Sequence, residues 1–169
     1  MADRVLVTYA SRAGSTAGVA TTIGETLTAR GFVVDMAPIG DGPAVDGYQA
    51  VAIGSAVHGG RWLPEAEAFV NENRQALSRV PVALFSVHIM NLKDNAKSRT
   101  RRVAYLDGVR PLLPPADEAF FAGKMDTSTI SALAIGLIRL FRIMPVGDHR
   151  DWAAVRGWAA ALWSEDDAA

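Results

Sequence analysis

The stretch Ser11-Arg12-Ala13-Gly14-Ser15-Thr16 joins a first predicted strand to a first predicted helix. The apolar run at residues 5–10 is typical of a strand buried on both faces of a parallel sheet. Residues 16–30 have the apolar spacing of a helix, which Gly31 ends. Gly14 lets the backbone approach an anion closely, and the N-terminus of the helix directs its free N–H groups toward the same place. The stretch therefore predicts a phosphate-binding loop.

Two common nucleotide-binding patterns are missing from this loop. It lacks the Gly-Lys-Ser/Thr ending of triphosphate-binding loops and the spaced glycines of dinucleotide-binding loops. A loop of Ser, Thr and Gly after a strand also occurs where the chain simply turns and caps a helix. The loop alone leaves that structural interpretation open.

Strands and helices alternate along the rest of the chain. Such alternation predicts βαβ units, which form a parallel sheet with helices on both faces. Ligands of these sheets bind beyond the carboxyl ends of the strands. Further strands are predicted at residues 32–36, 50–54, 80–87 and 118–123, and further helices at 64–77, 103–113, 130–144 and 151–163.

Two more loops follow the third and fourth predicted strands. In residues 55–62, Gly59 and Gly60 permit close approach of a planar ligand, and Trp62 could stack on it. Equally, Trp62 could pack in the core and His58 could lie on the surface. Residues 86–91 could offer backbone groups to the polar edge of a ring. Three loops at one end of a sheet predict a binding site more specifically than any one of them.

Composition excludes several classes of function. The 169 residues contain no cysteine, which excludes disulfides, thiolate metal sites and cysteine nucleophiles. The formal net charge of −1 gives no general attraction to nucleic acid. The N-terminal residues show no secretory signal, so a cytoplasmic location is expected. One domain over residues 1–164 and an acidic tail at 165–169 are predicted.

The loop at residues 11–16 resembles the phosphate loop of the flavodoxin family, T/S-x-T-G-x-T, except at Ala13. With arginine in second place, it is closer to the S/T-R-x-G-x-T loop of the flavodoxin-type, menaquinone-dependent protoporphyrinogen oxidases. Residues 52–60, 83–87, 121–123 and 151–159 resemble further segments of that family. The resemblance implies an α/β fold, a flavodoxin-like three-layer αβα sandwich with a five-stranded parallel sheet in the order 2-1-3-4-5.

The resemblance also implies FMN as the cofactor and assigns residues to it. The phosphate would be held by Ser11, Arg12, Ala13, Gly14, Ser15 and Thr16. The isoalloxazine ring would be flanked by Ala56, Val57, His58, Gly59, Gly60, Arg61 and Trp62. Its other edge would be lined by Ser86, Val87, His88, Ile89, Met90 and Asn91. Asp126, with Lys124, would lie at the mouth of the site. No catalytic acid or base and no metal site is predicted.

The implied function is that of an FMN-dependent oxidoreductase of haem biosynthesis, resembling protoporphyrinogen IX dehydrogenase. Electrons would pass from a small-molecule donor through FMN to a quinone or another redox partner. The positive charges of Arg12 and Arg61 could then stabilise a reduced, anionic flavin. A flavodoxin-type electron carrier without its own substrate is the alternative, although carriers are typically strongly acidic. A flavodoxin-like interaction module without cofactor is a third hypothesis, which the intact loop and paired glycines disfavour.

Two segments have two interpretations each. Residues 93–102 carry a charge of +4 and could form a solvated loop, or bind propionate groups or acidic lipids. The apolar helix predicted at 130–144 is too short to span a bilayer, so it could pack in the core or a dimer, or lie on the inner face of the cell membrane. Residues 145–150 are fewer than the oxidase family has at this point, which leaves the substrate side of the site open.

Overall fold

The computed structural model describes residues 3–114, 116–128, 130–142 and 144–163. The predicted acidic tail, Glu165-Asp166-Asp167, lies outside the described residues. The strands are β1 (Arg4–Ala10), β2 (Val33–Pro38), β3 (Ala50–His58), β4 (Arg61–Trp62), β5 (Val82–His88), β6 (Asp117–Ala122), β7 (Lys124–Met125) and β8 (Gly147–Asp148). The helices are α1 (Ser15–Ala29), α2 (Pro64–Leu77), α3 (Ala96–Val103), α4 (Ala132–Leu140) and α5 (Trp152–Ala161).

Five parallel strands form the main sheet in the order β2-β1-β3-β5-β6. Val7 pairs with Met36 of β2 on one side and with Ala52 of β3 on the other. Counting only the parallel strands, this order is the predicted 2-1-3-4-5. The two-residue strand β4 folds back on the end of β3 as an antiparallel hairpin, and β7 pairs with β8 in a separate ribbon. The predicted fold class is confirmed, with these short strands added.

Each face of the sheet is covered by its own apolar cluster. On one face α1 and α5 pack on the strands, and Val19, Ile23 and Val155 are completely buried. On the other face α2 packs with the segment that follows α3, and Val70 and Leu106 are completely buried. Both faces of β1, β3 and β5 are therefore withdrawn from water, which explains their continuous apolar sequences.

The boundaries of the elements differ from the prediction where side chains pair with distant parts of the chain. Strand β3 runs to His58 rather than Gly54, because pairing with β4 extends it. The basic stretch contains helix α3, whose first turn is capped by the Asn95 side chain accepting from Ser98 N at 2.9 Å. The helix predicted at 103–113 is instead two short 3₁₀ turns, Ala104–Leu106 and Arg110–Leu112.

Helix α4 is shorter than predicted and does not pack in the core. None of its residues is buried, and Leu133 and Leu140 are 78% and 73% exposed. The core interpretation of this helix is therefore wrong, because no described element lies over its apolar side chains. Ile143, at the end of the predicted helix, lies outside the described residues. Among the described residues, no helix is long and apolar enough to cross a membrane.

Candidate functional site

The loop between β1 and α1 has the backbone geometry that an anion site requires. Gly14 is the N-cap of α1 with φ of +84°, a left-handed conformation that favours glycine. Its N–H donates to Ser11 Oγ at 3.0 Å, which closes the loop on itself. No side chain caps the N-terminal turn of α1, so its amide groups are available to an external acceptor.

Thr16 carries a buried hydroxyl that has no partner. Its side chain is completely buried, and Oγ1 makes no hydrogen bond in the part of the chain described. Leaving such a group unpaired costs about 1–3 kcal/mol. An anion oxygen seated on the first turn of α1 would satisfy it. The loop therefore fits the phosphate group that the sequence predicts.

A first cavity of about 190 Å³ opens beside this loop. Its lining residues come from all three predicted loops and from the segment after β6. They are Ser11, Arg12, Ala13, Ser15, Ala56, Val57, His58, Leu63, Val87, Ile89, Lys124, Met125 and Asp126. The carboxyl ends of β1, β3, β5 and β6 thus meet at one site, as a parallel sheet requires.

The β3–β4 hairpin presents its glycines to a second cavity and buries its tryptophan. Gly59 and Gly60 both have positive φ and line this cavity. The Trp62 side chain is fully buried and donates from Nε1 to Ser86 Oγ at 2.7 Å. Leu63 N donates in turn to the buried Ser55 Oγ at 3.0 Å. These two buried bonds anchor the hairpin to the sheet.

This burial corrects two expectations. Trp62 packs in the core, so its ring does not stack on a ligand, and the hydroxyl of Ser86 serves the same internal bond. Arg61 also points away, since its guanidinium is paired with both oxygens of Glu67, at 3.2 and 2.9 Å. Nη2 of Arg12 lies 3.6 Å from Oε2 of Glu65. The positive charges expected beside the flavin are thus offset by the first turn of α2.

The loop after β5 is held from behind by a hydrogen-bonded group of side chains. The buried His88 bonds through Nδ1 to Met90 O at 2.6 Å, and its ring lies 5.5 Å from that of Tyr105. Asn91, at φ +59°, donates to Tyr105 Oη at 2.7 Å. Arg102 donates to Asn91 O at 2.8 Å. A strained backbone position is therefore stabilised from two sides.

The surroundings of His88 favour its neutral form. Burial lowers the pKa of its imidazole, and the charge of Arg102 acts in the same direction. A carbonyl oxygen only accepts, so the bond to Met90 O places the proton on Nδ1. His88 lines the second cavity, which measures about 130 Å³. The other lining residues come from the β3–β4 hairpin, from the loop after β5 and from a 3₁₀ turn; they are Val57, Gly59, Gly60, Ile89, Met90, Asn91 and Tyr105.

A third, larger cavity continues along the same loop. It measures about 580 Å³ and is lined by Met90, Asn91, Leu92, Lys93, Ser98, Arg139, Arg142, Met144, Pro145 and Val146. The first and second cavities share Val57 and Ile89, and the second and third share Met90 and Asn91. We call this third space the basic cleft. Its lining combines apolar side chains with Asn91, Ser98 and three cations, and no carboxylate occurs among the described lining residues.

The first and second cavities together form a continuous groove, and most of the predicted site residues line it. Five of them are absent from the lining. Gly14 and Thr16 belong to the loop and the first turn of α1 beside the groove, whereas Arg61, Trp62 and Ser86 are engaged elsewhere. Sequence reasoning missed Leu63, Met125 and Tyr105, which reach the groove only through the hairpin, the β7–β8 ribbon and a 3₁₀ turn. No local pattern around these three residues indicates a ligand.

The basic stretch at residues 93–102 divides between structural and exposed charges. Arg99 pairs with Asp94 at 2.7 Å, and Arg102 is only 16% exposed and binds backbone carbonyls. Lys93 lines the basic cleft. Only part of the predicted +4 charge is therefore available to a ligand.

Comparison with known proteins gives a family and a fold. A family model described as Flavodoxin domain matches residues 6–151. A flavodoxin from the domain Archaea superposes with a TM-score of 0.60 at 15% identity, covering 94% of this chain and 95% of that one. Flavodoxin 1 from Bacillus cereus gives 0.59 at 12% identity, covering 93% and 95%. Two-electron reduced Megasphaera elsdenii flavodoxin superposes with a TM-score of 0.53 at 18% identity, covering 70% of this chain and 84% of that one. No curated protein matches by sequence.

Proposed function

This chain belongs to the flavodoxin domain family, and from that premise we propose that it is an FMN-dependent oxidoreductase with a substrate of its own. The cofactor is FMN, which flavodoxin domains bind and which the unpaired Thr16 hydroxyl and open first turn of α1 fit. When bound, FMN supplies the two-electron redox chemistry. The proposed domain spans residues 1–164, with the acidic tail beyond it.

In this proposal the groove holds FMN with its phosphate on residues 11–16. The glycines of the β3–β4 hairpin and residues 88–91 flank the ring, in the second cavity. Backbone groups of the His88–Asn91 loop face the polar edge of the ring, and the His88–Tyr105 contact keeps that loop in place. No side chain is assigned as catalytic acid or base.

The basic cleft carries the proposal of a substrate. Cavities of about 300–1,000 Å³ accommodate small organic ligands, and the cleft falls in that range. Its apolar lining suits a large ring system, while Lys93, Arg139 and Arg142 suit carboxylate groups. The cleft adjoins the ring end of the groove through Met90 and Asn91. A tetrapyrrole with propionate groups, such as protoporphyrinogen IX of haem biosynthesis, has this chemistry, and a quinone is the proposed acceptor.

Helix α4 supports a peripheral contact with a membrane, where a quinone would be met. Leu133, Leu140 and Phe141 are more than half exposed, and Arg139 and Arg142 are the only charges between residues 127 and 147. Exposed apolar side chains beside arginines favour the surface of anionic lipid. Flotation with anionic and neutral vesicles tests this contact, and Leu140→Ser combined with Phe141→Ser is expected to abolish it. Equal flotation of the wild-type protein and this variant contradicts it.

The test of the substrate uses protein loaded with FMN. Protoporphyrinogen IX is added without oxygen in the presence of a soluble quinone, and porphyrin fluorescence is recorded. Replacing both Arg139 and Arg142 by Gln is expected to raise KM for the donor about tenfold, because each exposed ion pair contributes up to about 1 kcal/mol. FMN affinity stays unchanged. The dimethyl ester of the donor lacks the charges. For this ester, the KM values of the variant and of wild type are therefore expected to be similar.

Matched controls separate this result from general loss of charge. Arg74 lies on α2, where it binds only Asn71 among the described residues, so Arg74→Gln removes a cation far from the cleft. It is expected to leave KM unchanged. Absence of porphyrin formation by wild-type protein whose FMN accepts electrons from a reductase contradicts the proposal.

That outcome favours the second candidate, an electron carrier of the flavodoxin type. The specific observation in its favour is the near-complete mutual coverage with the archaeal flavodoxin. A carrier needs only a redox partner and an exposed cofactor edge. The substrate cleft is what distinguishes the two candidates, and measurement of donor oxidation decides between them.

A further inference from the structure

The phosphate end of the groove has a second wall that does not belong to the β1–α1 loop. The chain leaves β6 at Gly123, whose N–H donates to His88 O at 2.8 Å. A Cβ placed on Gly123 would lie only 3.2 Å from Ser15 Oγ. The segment after β6 therefore runs in close contact with the phosphate loop, and Lys124 and Asp126 line the first cavity from this side.

The charged side chains around that cavity differ in whether they have a hydrogen-bond or ion-pair partner. Arg12 lies near Glu65, and Asp126 accepts a hydrogen bond from Ser128 N at 2.9 Å. Asp148 is the register partner of Lys124 across the β7–β8 ribbon, but its carboxylate is held by Arg150, with Nε at 2.8 Å. Within the described residues, no carboxylate oxygen lies within 4 Å of the Lys124 ammonium.

The negative charge of Asp126 would oppose phosphate binding, and the positive charge of Lys124 would offset it. A phosphate seated on the loop would share the cavity with that carboxylate, and like charges at this range repel. The hydrogen bond from Ser128 lowers the pKa of Asp126, so the carboxylate is ionised at neutral pH. Amide dipoles at a helix N-terminus amount to about half a charge. A full positive charge on the facing wall would offset the carboxylate.

We propose that Lys124 is a specificity-determining residue that contacts the phosphate of FMN and makes the groove select FMN over riboflavin. The β1–α1 loop supplies the hydrogen-bond donors, and the β7–β8 ribbon supplies the cation. Asp126 opposes this attraction and limits its strength. The inference rests on the proposed function only in placing FMN in this groove; it requires no particular electron donor.

The experiment compares two ligands that differ by the phosphate alone. Apo-protein is titrated with FMN and with riboflavin, and quenching of flavin fluorescence gives Kd for each. Lys124→Met keeps much of the side-chain length without the charge, Asp126→Asn removes the opposing charge, and Lys97→Met on α3 serves as the control for losing one lysine. Circular dichroism checks that each variant is folded.

Lys124→Met is expected to weaken FMN binding about tenfold and riboflavin binding less than twofold. Asp126→Asn is expected to strengthen FMN binding a few fold, and Lys97→Met to change neither ligand. The preference of wild type for FMN over riboflavin should shrink as salt rises from 0.05 to about 0.5 M, because salt screens exposed charges. An equal effect of Lys124→Met on both ligands, or no effect, overturns the inference.

Failure of this inference is distinguishable from failure of the proposed function. If wild-type protein binds FMN and oxidises the donor while Lys124→Met binds FMN normally, only the role of Lys124 is wrong. If Lys124→Met loses FMN selectively and no donor is oxidised, the role of Lys124 stands and the substrate proposal fails. If wild-type protein binds no FMN, both are wrong.

Discussion

The phosphate end of the groove and the basic cleft are held by different parts of the molecule. The phosphate loop lies between β1 and α1, whose side chains Val7, Val19 and Leu27 are completely buried. The basic cleft is bordered by α4, which buries none of its residues. Packing that stabilises the sheet thus also positions the phosphate loop, whereas the cleft depends on a peripheral segment.

The two regions also treat charge differently. At the phosphate loop, Arg12 lies near the carboxylate of Glu65, and Asp126 adds a negative charge to the cavity. In the basic cleft, Arg139 and Arg142 stand among apolar side chains with no acidic neighbour in its described lining. The comparison teaches that the first region lies on the packed core whereas the second lies on an exposed segment, which suits the proposed roles of a site for a resident cofactor and a surface for a substrate that arrives and leaves.

The largest expected effect is on stability, and it tests the difference in packing between helices α1 and α4. Leu27→Ala in α1 is expected to lower the free energy of unfolding by about 2–5 kcal/mol, because it opens a cavity in a closed core. The matched change Leu140→Ala in α4 should cost less than about 0.5 kcal/mol, since that side chain is 73% exposed. Urea unfolding of both variants measures the difference. Similar losses would show that α4 is packed after all.

The next effect concerns charge at the phosphate loop. Gly14→Asp places a carboxylate beside the predicted phosphate and is expected to weaken FMN binding on the order of 100-fold. Gly14→Asn is the matched control, because asparagine tolerates the left-handed backbone equally and carries no charge. Fluorescence titration gives both affinities. Equal affinity of the two variants would mean that the phosphate lies elsewhere.

A smaller effect is expected at the unpaired hydroxyl. Thr16→Val keeps the shape of the side chain, and it should stabilise the apo-protein by about 1 kcal/mol because an unsatisfied buried group is lost. The same variant should bind FMN about tenfold more weakly. Thermal unfolding with and without FMN measures both changes. A variant that is less stable as apo-protein would show that Thr16 has a structural partner instead.

The smallest effect is the pH dependence that His88 contributes. Its folded pKa lies below the ordinary value of 6.5, so the unfolded chain binds more protons as pH falls. Stability from this group is present above pH 6.5 and is lost progressively as the pH falls below that value. His88→Asn can still donate to Met90 O but does not titrate, so its stability should fall less over that range. Identical pH profiles would exclude a buried neutral imidazole.

Much of the fold follows from local patterns in the sequence. The continuous apolar runs at residues 5–10 and 50–54 predict buried parallel strands, because both faces of such strands must be covered. Gly14 and the hydroxyls around it predict an anion site, because their effect depends only on neighbouring backbone. The boundaries of α2, residues 64–77, are also predicted, since Pro64 favours the start of a helix and the apolar stripe ends at Leu77.

Other features depend on partners that are distant in sequence. Trp62 is suited by its chemistry both to stacking and to the core, and its bond to Ser86, 24 residues away, decides for the core. The apolar sequence of α4 predicts burial, but burial requires a surface to pack against, and no described element covers it. In the sequence, Arg102 is one more charge of a basic stretch. In the structure it donates to the carbonyl oxygens of residues 91 and 93 and so stabilises the loop after β5.

The sequence by itself determined the order of strands and helices along the chain, because that order follows from periodicity. It also predicted a phosphate loop from residues adjacent in the chain, and FMN from the family resemblance that those residues carry. Only the tertiary structure decided which side chains face the groove, that Lys124 lines the same cavity as the β1–α1 loop, and that the basic cleft adjoins the second cavity. These depend on how the ends of β5 and β6 and the β7–β8 ribbon come together. Such contacts arise from packing between distant segments, which no local pattern encodes.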